Sequence, residues 1–249
     1  MGVKNFKRAI VVGASSGIGE EIAVQLAAEG AQVALVARRE SELERVRSRI
    51  EEAGGEARIL VHDVSQFDAV PAHFDALRQE LGGVDILVYA AGVMPSIAEH
   101  EYAFEKDRYM VDVNLLGAMA WFNPAAAYME AERRGVLVGI SSVAGERGRR
   151  QNPAYCTSKA GLSSYLESLR NRLHRYGVNV VTVKPGFVAT RMTEGLEKTP
   201  FVTTPQAVAK RVVASAKRGP KTLYTRRIWA PIMFIIRHIP SLIFRKLNI

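Results

Sequence analysis

The chain has 249 residues, of which 48% are hydrophobic, and its formal net charge is +9. This length suits one α/β domain with a sizeable core. The one cysteine, Cys156, excludes an intrachain disulfide and indicates a reducing compartment, and we interpret it as a packing residue. The positive charge favours an anionic partner. Because no nucleic-acid motif is present, a nucleotide cofactor, an anionic substrate or a membrane surface fits better than nucleic acid.

The N-terminal segment lacks the apolar stretch and the cleavage site of a signal peptide, so we expect a cytoplasmic protein. The first strand is predicted at Arg8–Gly13, where β-branched residues form a short apolar run. A turn with the sequence G-A-S-S-G-I-G follows, and then a helix over Glu20–Ala28. Glycines let a backbone approach a pyrophosphate, and a helix N-terminus offers free N–H groups. This context predicts a phosphate-binding turn around Gly13, Gly17 and Gly19.

The second predicted strand, Gln32–Ala37, ends directly before Arg38 and Arg39. An NAD site usually has an acidic residue at this place, which accepts hydrogen bonds from the ribose. A guanidinium suits the 2′-phosphate of NADPH instead, so the sequence favours NADPH over NADH. The alternative is that both arginines simply begin the charged helix predicted over Glu40–Glu52.

Strands and helices alternate along the rest of the chain. Further strands are predicted at Arg58–Val61, Val84–Ala90, Val136–Ile140 and Val178–Val183. Helices are predicted over about Phe104–Arg133 and Pro153–Tyr176. This alternation predicts a single-domain α/β fold over residues 1–225, with a doubly wound, Rossmann-like parallel sheet. Its site should lie at the carboxyl ends of the strands.

Two loops in this predicted fold carry open alternatives. Asp63, after the third strand, is a candidate for binding an adenine amino group, but it could equally cap the next helix, as could Ser65. The segment Arg191–Thr204 lacks clear periodicity. Our hypothesis for it is a flexible lid over the substrate, and the alternative is an ordinary connection.

A tyrosine and a lysine four residues apart, Tyr155 and Lys159, stand near the start of the helix predicted from Pro153, and Ser142 lies upstream of both. Positions four apart share one helix face. An adjacent ammonium favours the phenolate, so we expect a lowered pKa for Tyr155 and a role in proton transfer. Taken alone, the pair is more typical of a solvated helix face, and it gains meaning only from the other motifs.

In their joint order and spacing, these motifs resemble the short-chain dehydrogenase/reductase family over about residues 6–225. The resemblance rests on the glycine turn and on Asp63, Ala91-Gly92, Asn114, Ser142, Tyr155, Lys159 and Pro185-Gly186. It implies that Tyr155 protonates a substrate oxygen, that Lys159 holds the nicotinamide ribose and lowers the pKa of the tyrosine, and that Ser142 polarises the carbonyl. It also implies that Asn114 orders a water in a proton relay and that subunits form homodimers or homotetramers. No metal is expected.

The cofactor contacts that follow from the motifs and the resemblance are Gly13, Ser15, Ser16, Gly17, Ile18, Gly19, Arg38, Arg39, Asp63, Val64, Ala91, Gly92, Tyr155, Lys159, Pro185, Gly186, Val188 and Thr190. Two positions depart from the family pattern. Val12 stands where threonine is common, and Tyr89-Ala90 stands where two asparagines are common. These departures concern the geometry of the cofactor site and leave the catalytic residues intact.

Two pieces, Ser141–Arg150 and Arg237–Ile249, resemble a subgroup, the decaprenylphosphoryl-2-keto-ribose reductases, which reduce a keto-sugar on a polyprenyl phosphate. In the first piece, Arg147, Arg149 and Arg150 could meet a substrate phosphodiester. The alternative, a solvated loop, is weighed evenly with it.

The C-terminal tail, residues 226–249, is apolar with interspersed cations. Its uninterrupted apolar run, Ile228–Ile236, is too short to span a bilayer. One interpretation is an amphipathic helix on anionic lipid at the inner face of the membrane. The other, slightly favoured, is a tail packed on the body or across a subunit interface.

The sequence thus predicts an NADPH-dependent oxidoreductase that transfers a hydride between a nicotinamide cofactor and a ketone or alcohol. The substrate is either a lipid-linked keto-sugar or a small soluble or fatty ketone. An alternative of a different class is an NADPH-binding regulatory or structural module without turnover.

Overall fold

A computed structural model describes residues 5–195, 199–219 and 221–247. Within these residues, seven strands form one sheet: β1 (Arg8–Val12), β2 (Gln32–Ala37), β3 (Glu56–Val61), β4 (Ile86–Tyr89), β5 (Gly135–Ile140), β6 (Val178–Lys184) and β7 (Lys221–Tyr224). Their order across the sheet is β3-β2-β1-β4-β5-β6-β7, and all neighbours are parallel. The predicted doubly wound parallel sheet is confirmed.

Helices cover both faces of the sheet. They are α1 (Gly17–Ala28), α2 (Glu40–Glu52), α3 (Val70–Glu80), α4 (Phe104–Val111), α5 (Gly117–Glu132), α6 (Pro153–Leu173), α7 (Pro205–Arg218), α8 (Trp229–His238) and α9 (Ser241–Phe244). Alternate residues of β1 point to opposite faces, so that Val11 packs with α1, α2 and α7, whereas Ile10 packs with α3, α5 and α6. The buried strands are apolar on both faces because both faces are covered.

The chain reverses its direction across the sheet at β1, which lies between β2 and β4. In open α/β sheets a crevice forms at such a point, beyond the carboxyl ends of the strands. The turn after β1 is fixed to both neighbours, since Gly13 N donates to Val36 O at 2.7 Å and Ala90 N donates to Val12 O at 2.7 Å.

The structure adds two features that the sequence pattern did not predict. The edge strand β7 has the short, partly exposed sequence K-T-L-Y and pairs with β6. The long helix predicted over about Phe104–Arg133 is interrupted by a π-helical turn, Asp112–Leu116, between α4 and α5. The other predicted strands lie within two residues of their predicted ends.

The tail packs on the body of the protein. Trp229 and Met233, one turn apart on α8, are buried against Val143 and Phe187. This face of the tail agrees with the interpretation of a tail packed on the body. Among the described residues, no helix has the length and apolarity needed to cross a membrane. Asn248 and Ile249 lie outside the described residues.

The segment predicted as a lid is described only in part, because residues 196–198 lie outside the described residues. Its first residues form a short 3₁₀ turn, Arg191–Thr193, and Val188 makes an isolated parallel bridge with Thr203. The bridge fastens both ends of the segment beside the carboxyl end of β6. A lid function remains a prediction.

Candidate active site

The glycine turn between β1 and α1 is shaped by close approaches. Gly13 and Gly17 have φ angles of 88° and 61°, which side-chain-bearing residues rarely adopt. A Cβ on Gly13 would collide with the backbone of Ala91, and a Cβ on Gly19 would collide with the carbonyl oxygen of Gly13. The turn therefore keeps its backbone bare and opens onto the N-terminus of α1, which is the arrangement that a pyrophosphate needs.

Arg39 reaches back over this turn. Its Nη2 lies 2.9 Å from Ser15 Oγ and 3.1 Å from Ser16 Oγ, so a guanidinium and two hydroxyls converge on one point. Arg38 points elsewhere, because its Nη1 donates to the Tyr109 hydroxyl at 3.0 Å and lies 3.6 Å from Asp63 Oδ2. Both side chains line the same cavity. The two arginines that the sequence treats as equivalent thus have different surroundings.

Asp63 is held in a local turn. Its Oδ1 accepts from Ser65 N at 3.0 Å and from Ser65 Oγ at 2.7 Å. Burial raises the pKa of Asp63, but the Ser65 hydrogen bonds and the Arg38 charge lower it by more. Its neighbours His62 and Val64 line the cavity, whereas Asp63 is not among the described lining residues. The side chain closes a local turn with Ser65. It does not cap the next helix, because the 3₁₀ turn Phe67–Ala69 has Gln66 at its N-cap position and no side-chain cap.

The catalytic candidates meet at the carboxyl ends of β5 and β6. Tyr155 and Lys159 project from the first turns of α6, and Lys159 Nζ lies 5.8 Å from the centre of the Tyr155 ring. Lys159 is 4% exposed and donates to the carbonyl oxygen of Ile140, the last residue of β5, at 3.0 Å. Ser142 follows β5 and caps a 3₁₀ turn, since its Oγ accepts from Ala144 N at 3.0 Å.

The pKa values of these groups follow from burial. Burial raises the pKa of Tyr155, and the hydroxyl of Ser142 and the charge of Arg149 act in the opposite direction without reversing it. This net rise corrects the expectation of a lowered value. Burial also lowers the pKa of Lys159 to about 8. At neutral pH the phenol is therefore protonated, and the lysine still carries its charge.

Asn114 is fully buried in the π-helical turn. Its Oδ1 accepts from Val93 N at 2.8 Å, and its Nδ2 donates to Val93 O at 3.0 Å and to Ser158 Oγ at 3.1 Å. A Cβ on Gly92 would lie 3.3 Å from both Asn114 Oδ1 and Lys159 Nζ. The glycine therefore keeps a small space between these two polar groups. Such π-turns often mark functional sites.

The loop after β6 closes the site from the other side. Pro185 O accepts from Val143 N at 3.0 Å, which ties this loop to the segment after Ser142. Thr190 approaches the glycine turn, since a Cβ on Gly17 would lie 3.2 Å from Thr190 Cγ2. The residues expected around a nicotinamide and its phosphates thus face the same space as the glycine turn.

One cavity of about 1460 Å³ unites these groups. It is lined by every predicted site residue except Asp63 and Asn114, of which Asn114 lies buried behind the wall. Sequence reasoning did not assign to it the side chains of His62, Met94, Phe187, Trp229, Met233 and Ile236. The last three come from α8, and of these Ile236 alone belongs to the apolar residues that recur at helical spacing in the tail.

The three arginines between the serine and the tyrosine point in different directions. Arg147 donates to the carbonyl oxygen of Ile236 at 2.6 Å and stacks 3.9 Å from the centre of the Phe244 ring, so it fastens the tail. Arg150 lies at the surface, 3.5 Å from the carboxylate of Glu99. Only Arg149, among these three, lines the catalytic cavity.

A buried carboxylate beside Arg147 strengthens the same junction. Glu146 accepts from Lys184 Nζ at 2.7 Å and from the Tyr224 hydroxyl at 2.6 Å, and it lies 3.3 Å from Arg237 of α8. Burial raises the pKa of Glu146, but these partners lower it by more, so the group is a carboxylate at neutral pH. The segment after Ser142 is thereby joined to β6, β7 and the tail.

The parallel sheet, the glycine turn and the cavity shared by Tyr155 and Lys159 are what a dinucleotide-binding oxidoreductase would need, and the comparisons with known proteins show the family. The family model for short chain dehydrogenases matches residues 7–200. An uncharacterized oxidoreductase of Myxococcus xanthus is 38% identical over 193 residues, covering 78% of this chain and 76% of the relative. An uncharacterized oxidoreductase of Mycobacterium tuberculosis is 33% identical over 249 residues, covering 96% of each chain.

A solved structure of actinorhodin polyketide ketoreductase with NADPH superposes with a TM-score of 0.80 at 30% identity, covering 90% of this chain and 97% of that one. The chain belongs to the short-chain dehydrogenase/reductase family and is an oxidoreductase of that family. Among the described residues, no cluster of His, Cys, Asp and Glu side chains is arranged to hold a metal ion.

Proposed function

We propose that this protein is an NADPH-dependent carbonyl reductase. The observation that carries the proposal is the meeting of Ser142, Tyr155 and Lys159 in one cavity with the bare glycine turn. The residues present fit a dinucleotide. A side chain at Gly13 or Gly19 would collide with the backbone, so the turn stays bare, as the binding of a pyrophosphate requires. When bound, the cofactor supplies a hydride to the carbonyl carbon of the substrate.

The residues of the chain bind the carbonyl oxygen and supply its proton. The Ser142 hydroxyl donates a hydrogen bond to the carbonyl oxygen, and the Tyr155 hydroxyl gives that oxygen its proton. The Lys159 ammonium stabilises the phenolate that this transfer leaves behind. At neutral pH the Tyr155 phenol is protonated, since burial raises its pKa, so it can act as the acid in this step. Asn114 and Lys159 flank the space beside Gly92 through which we propose that the proton is replaced.

The test of this chemistry is Tyr155→Phe. We expect the variant to lose NADPH oxidation with ketones and to bind NADPH nearly as well as the wild type. Tyr165→Phe is the matched control, because Tyr165 lies on the same helix and its hydroxyl bonds to Asn123 at 2.7 Å. Ketone turnover by Tyr155→Phe would refute the catalytic assignment. Absence of turnover in the wild type over a broad ketone panel would favour the non-catalytic, cofactor-binding alternative.

The preference for NADPH is supported by Arg39 and its two serine partners, with Arg38 at the rim of the same cavity. Charge-assisted hydrogen bonds to a phosphate are worth roughly 1.5–3 kcal/mol, or about 10- to 100-fold in affinity. We expect Arg39→Asp to weaken NADPH by about this factor and NADH much less. Arg38→Asp should have a smaller effect, because this side chain is engaged by Tyr109 and Asp63. Equal weakening of both cofactors would refute the 2′-phosphate role.

The proposed substrate is a ketone that is linked to a lipid, with a polyprenyl-phosphoryl keto-sugar as the leading example. Apolar side chains of α8 line the cavity and continue to the surface of the tail. The alternative is a small soluble or fatty ketone. The discriminating measurement is kcat/KM for a short-chain prenyl-phosphoryl 2-keto-pentose beside a panel of soluble ketones. Turnover of the soluble ketones alone would leave the reductase standing and remove the lipid link.

For the tail we further propose contact with an anionic membrane surface. Phe234, Ile235, Leu242 and Ile243 are between 53% and 67% exposed, and Arg245 and Lys246 are exposed beside them. Exposed apolar and basic side chains that lie close together in the chain fit an anionic bilayer. Ile235→Asp with Leu242→Asp should abolish sedimentation with anionic vesicles, and neutral vesicles should bind weakly from the start. If light scattering shows instead that this double variant dissociates a homodimer or homotetramer, the surface is a subunit interface.

A further inference from the structure

The cavity contains a cationic side chain, Arg149, that is not paired with a carboxylate of the described residues. Arg149 is partly buried and lines the cavity together with Ser142 and Tyr155. Among the described residues, no carboxylate lies within ion-pair distance of its guanidinium. Its Nη2 lies 4.0 Å from the sulfur of Met233, which is its one hydrogen-bond partner in the described part of the chain.

The guanidinium also has an unsatisfied donor. Arg149 Nε is buried and has no hydrogen-bond partner among the described residues. A buried donor without a partner is unfavourable by roughly 1–3 kcal/mol, and more for a charged group, so such an atom calls for an explanation. Asn152, three residues further along the same loop and also in the cavity wall, carries a second unsatisfied buried atom, Oδ1.

The two neighbouring arginines show that this exposure to the cavity is particular to Arg149. Arg147 is occupied by carbonyl oxygens at the end of α8, and Arg150 faces Glu99 at the surface. The wall beside Arg149 is apolar, because Met233, which contacts Arg149, and Trp229 lie on the same face of α8. The cavity thus offers one cation beside an apolar wall, close to the catalytic tyrosine.

We propose that Arg149 is the subsite for an anionic group, a phosphate or a carboxylate, that the ketone carries close to its carbonyl. This inference rests on the proposed reductase activity and assigns the chemical class of its substrate. The Nε and Nη2 atoms of one guanidinium can each donate a hydrogen bond to a different oxygen of the same anion. Such a pairing would give Arg149 Nε the partner that it lacks.

The test compares ketones that differ in charge. The probes are the octyl phosphodiester and the octyl ether of hydroxyacetone, together with hydroxyacetone phosphate. We expect the wild type to prefer the phosphodiester over the ether, and Arg149→Gln to lose about 10- to 100-fold more in kcat/KM on the phosphodiester than on the ether. Arg150→Gln is the matched control and should behave as the wild type. Equal losses on the ether and the phosphodiester, or an equal loss in Arg150→Gln, would overturn the assignment.

The third probe separates the sources of the anion. If hydroxyacetone phosphate is turned over as well as the octyl diester, Arg149 serves small phosphorylated ketones. If the octyl diester is strongly preferred, it serves a phosphate that is attached to a lipid. Either result supports the subsite, provided that the activity depends on Arg149.

A binding measurement keeps this inference separate from the reductase proposal. Octyl phosphate is titrated into the protein saturated with NADP⁺, and the intrinsic tryptophan fluorescence is followed, to which Trp229 in the cavity wall contributes. Saturable binding that Arg149→Gln weakens at least tenfold supports the subsite, even if the wild type reduces none of the ketones. Binding that is unchanged in this variant, or equal binding of octanol, refutes it.

Discussion

Lys159 offers a sharp test of the electrostatics of the site. Its ammonium group should be required for activity, and the same group should lower the stability of the folded protein. The ammonium is 4% exposed, and burial lowers its pKa from 10.5 to about 8. A drop of this size means that the buried charge destabilises the folded protein by roughly 3 kcal/mol at neutral pH. Lys159→Met removes the charge and keeps the length of the side chain.

The substitution also removes one favourable contact, the hydrogen bond from Lys159 Nζ to Ile140 O at 3.0 Å. Such a bond contributes roughly 1 kcal/mol, and more is lost if the carbonyl stays unsatisfied. We therefore expect Lys159→Met to be more stable than the wild type by about 1–2 kcal/mol at pH 7, or roughly 2–8 °C in Tm, while its reductase activity is lost.

The pH dependence of this difference follows from linkage. The folded pKa of Lys159 lies below the unfolded value, so the unfolded state binds more protons between about pH 8 and 10.5. The unfavourable contribution is fully present below pH 8 and disappears as the pH rises toward 10.5. The advantage of Lys159→Met should therefore shrink over this interval when urea denaturation is followed by circular dichroism without added cofactor.

A matched lysine gives the control. Lys184, at the end of β6, pairs with the buried carboxylate of Glu146, so Lys184→Met should destabilise the protein by roughly 1–3 kcal/mol. If Lys159→Met is instead less stable at pH 7, or if its advantage does not vary with pH, the buried ammonium is not an unfavourable charge and the reasoning fails.

Three further predictions test other parts of the structure. Gly92→Ala places a methyl group 3.3 Å from Asn114 Oδ1 and Lys159 Nζ, and it should lower kcat roughly tenfold or more with little change in KM for NADPH; an unchanged kcat would speak against the relay. Arg147→Met should speed hydrogen exchange over α8, whereas Arg150→Met should not, because its ion pair is exposed. In Asp85, burial raises the pKa, but the hydrogen bonds from Arg8 and Lys7 and the charge of Arg8 together lower it by more, so its contribution is present above about pH 4 and lost in acid. Asp85→Asn should reduce stability by roughly 1–3 kcal/mol at pH 7 and flatten the acid side of a plot of Tm against pH.

Much of the fold could be predicted because its signals are local. The central strands are short apolar runs bounded by glycine or charge, and the layers follow from their alternation with helices. The strand β7 escaped prediction because K-T-L-Y at a sheet edge has no apolar run. The π-helical turn at Asn114 was also missed, since five residues are too few for apolar spacing to separate it from an α-helix.

In the candidate site, too, some features could be predicted from the sequence and others could not. The positions of the glycine turn, Tyr155 and Lys159 could be predicted because each group is set by its own short segment. The directions of Arg38, Arg39 and the three arginines after Ser142 depend on partners far away in the sequence, such as Tyr109 for Arg38 and Ile236 for Arg147. The pKa of Tyr155 escaped for a similar reason, because burial, which is a property of the whole fold, outweighs the neighbouring charges.

The tail connects these local and distant parts. One end of α8 supplies Trp229 and Met233 to the wall of the cavity, and the other end is fastened by Arg147, five residues after Ser142. A displacement of α8 would therefore move both the apolar wall and the segment that joins Ser142 to Arg147. Part of the cavity wall near Tyr155 thus comes from the tail, and we propose that substrate choice in this chain depends on these residues, which lie beyond the segment matched by the family model, 7–200.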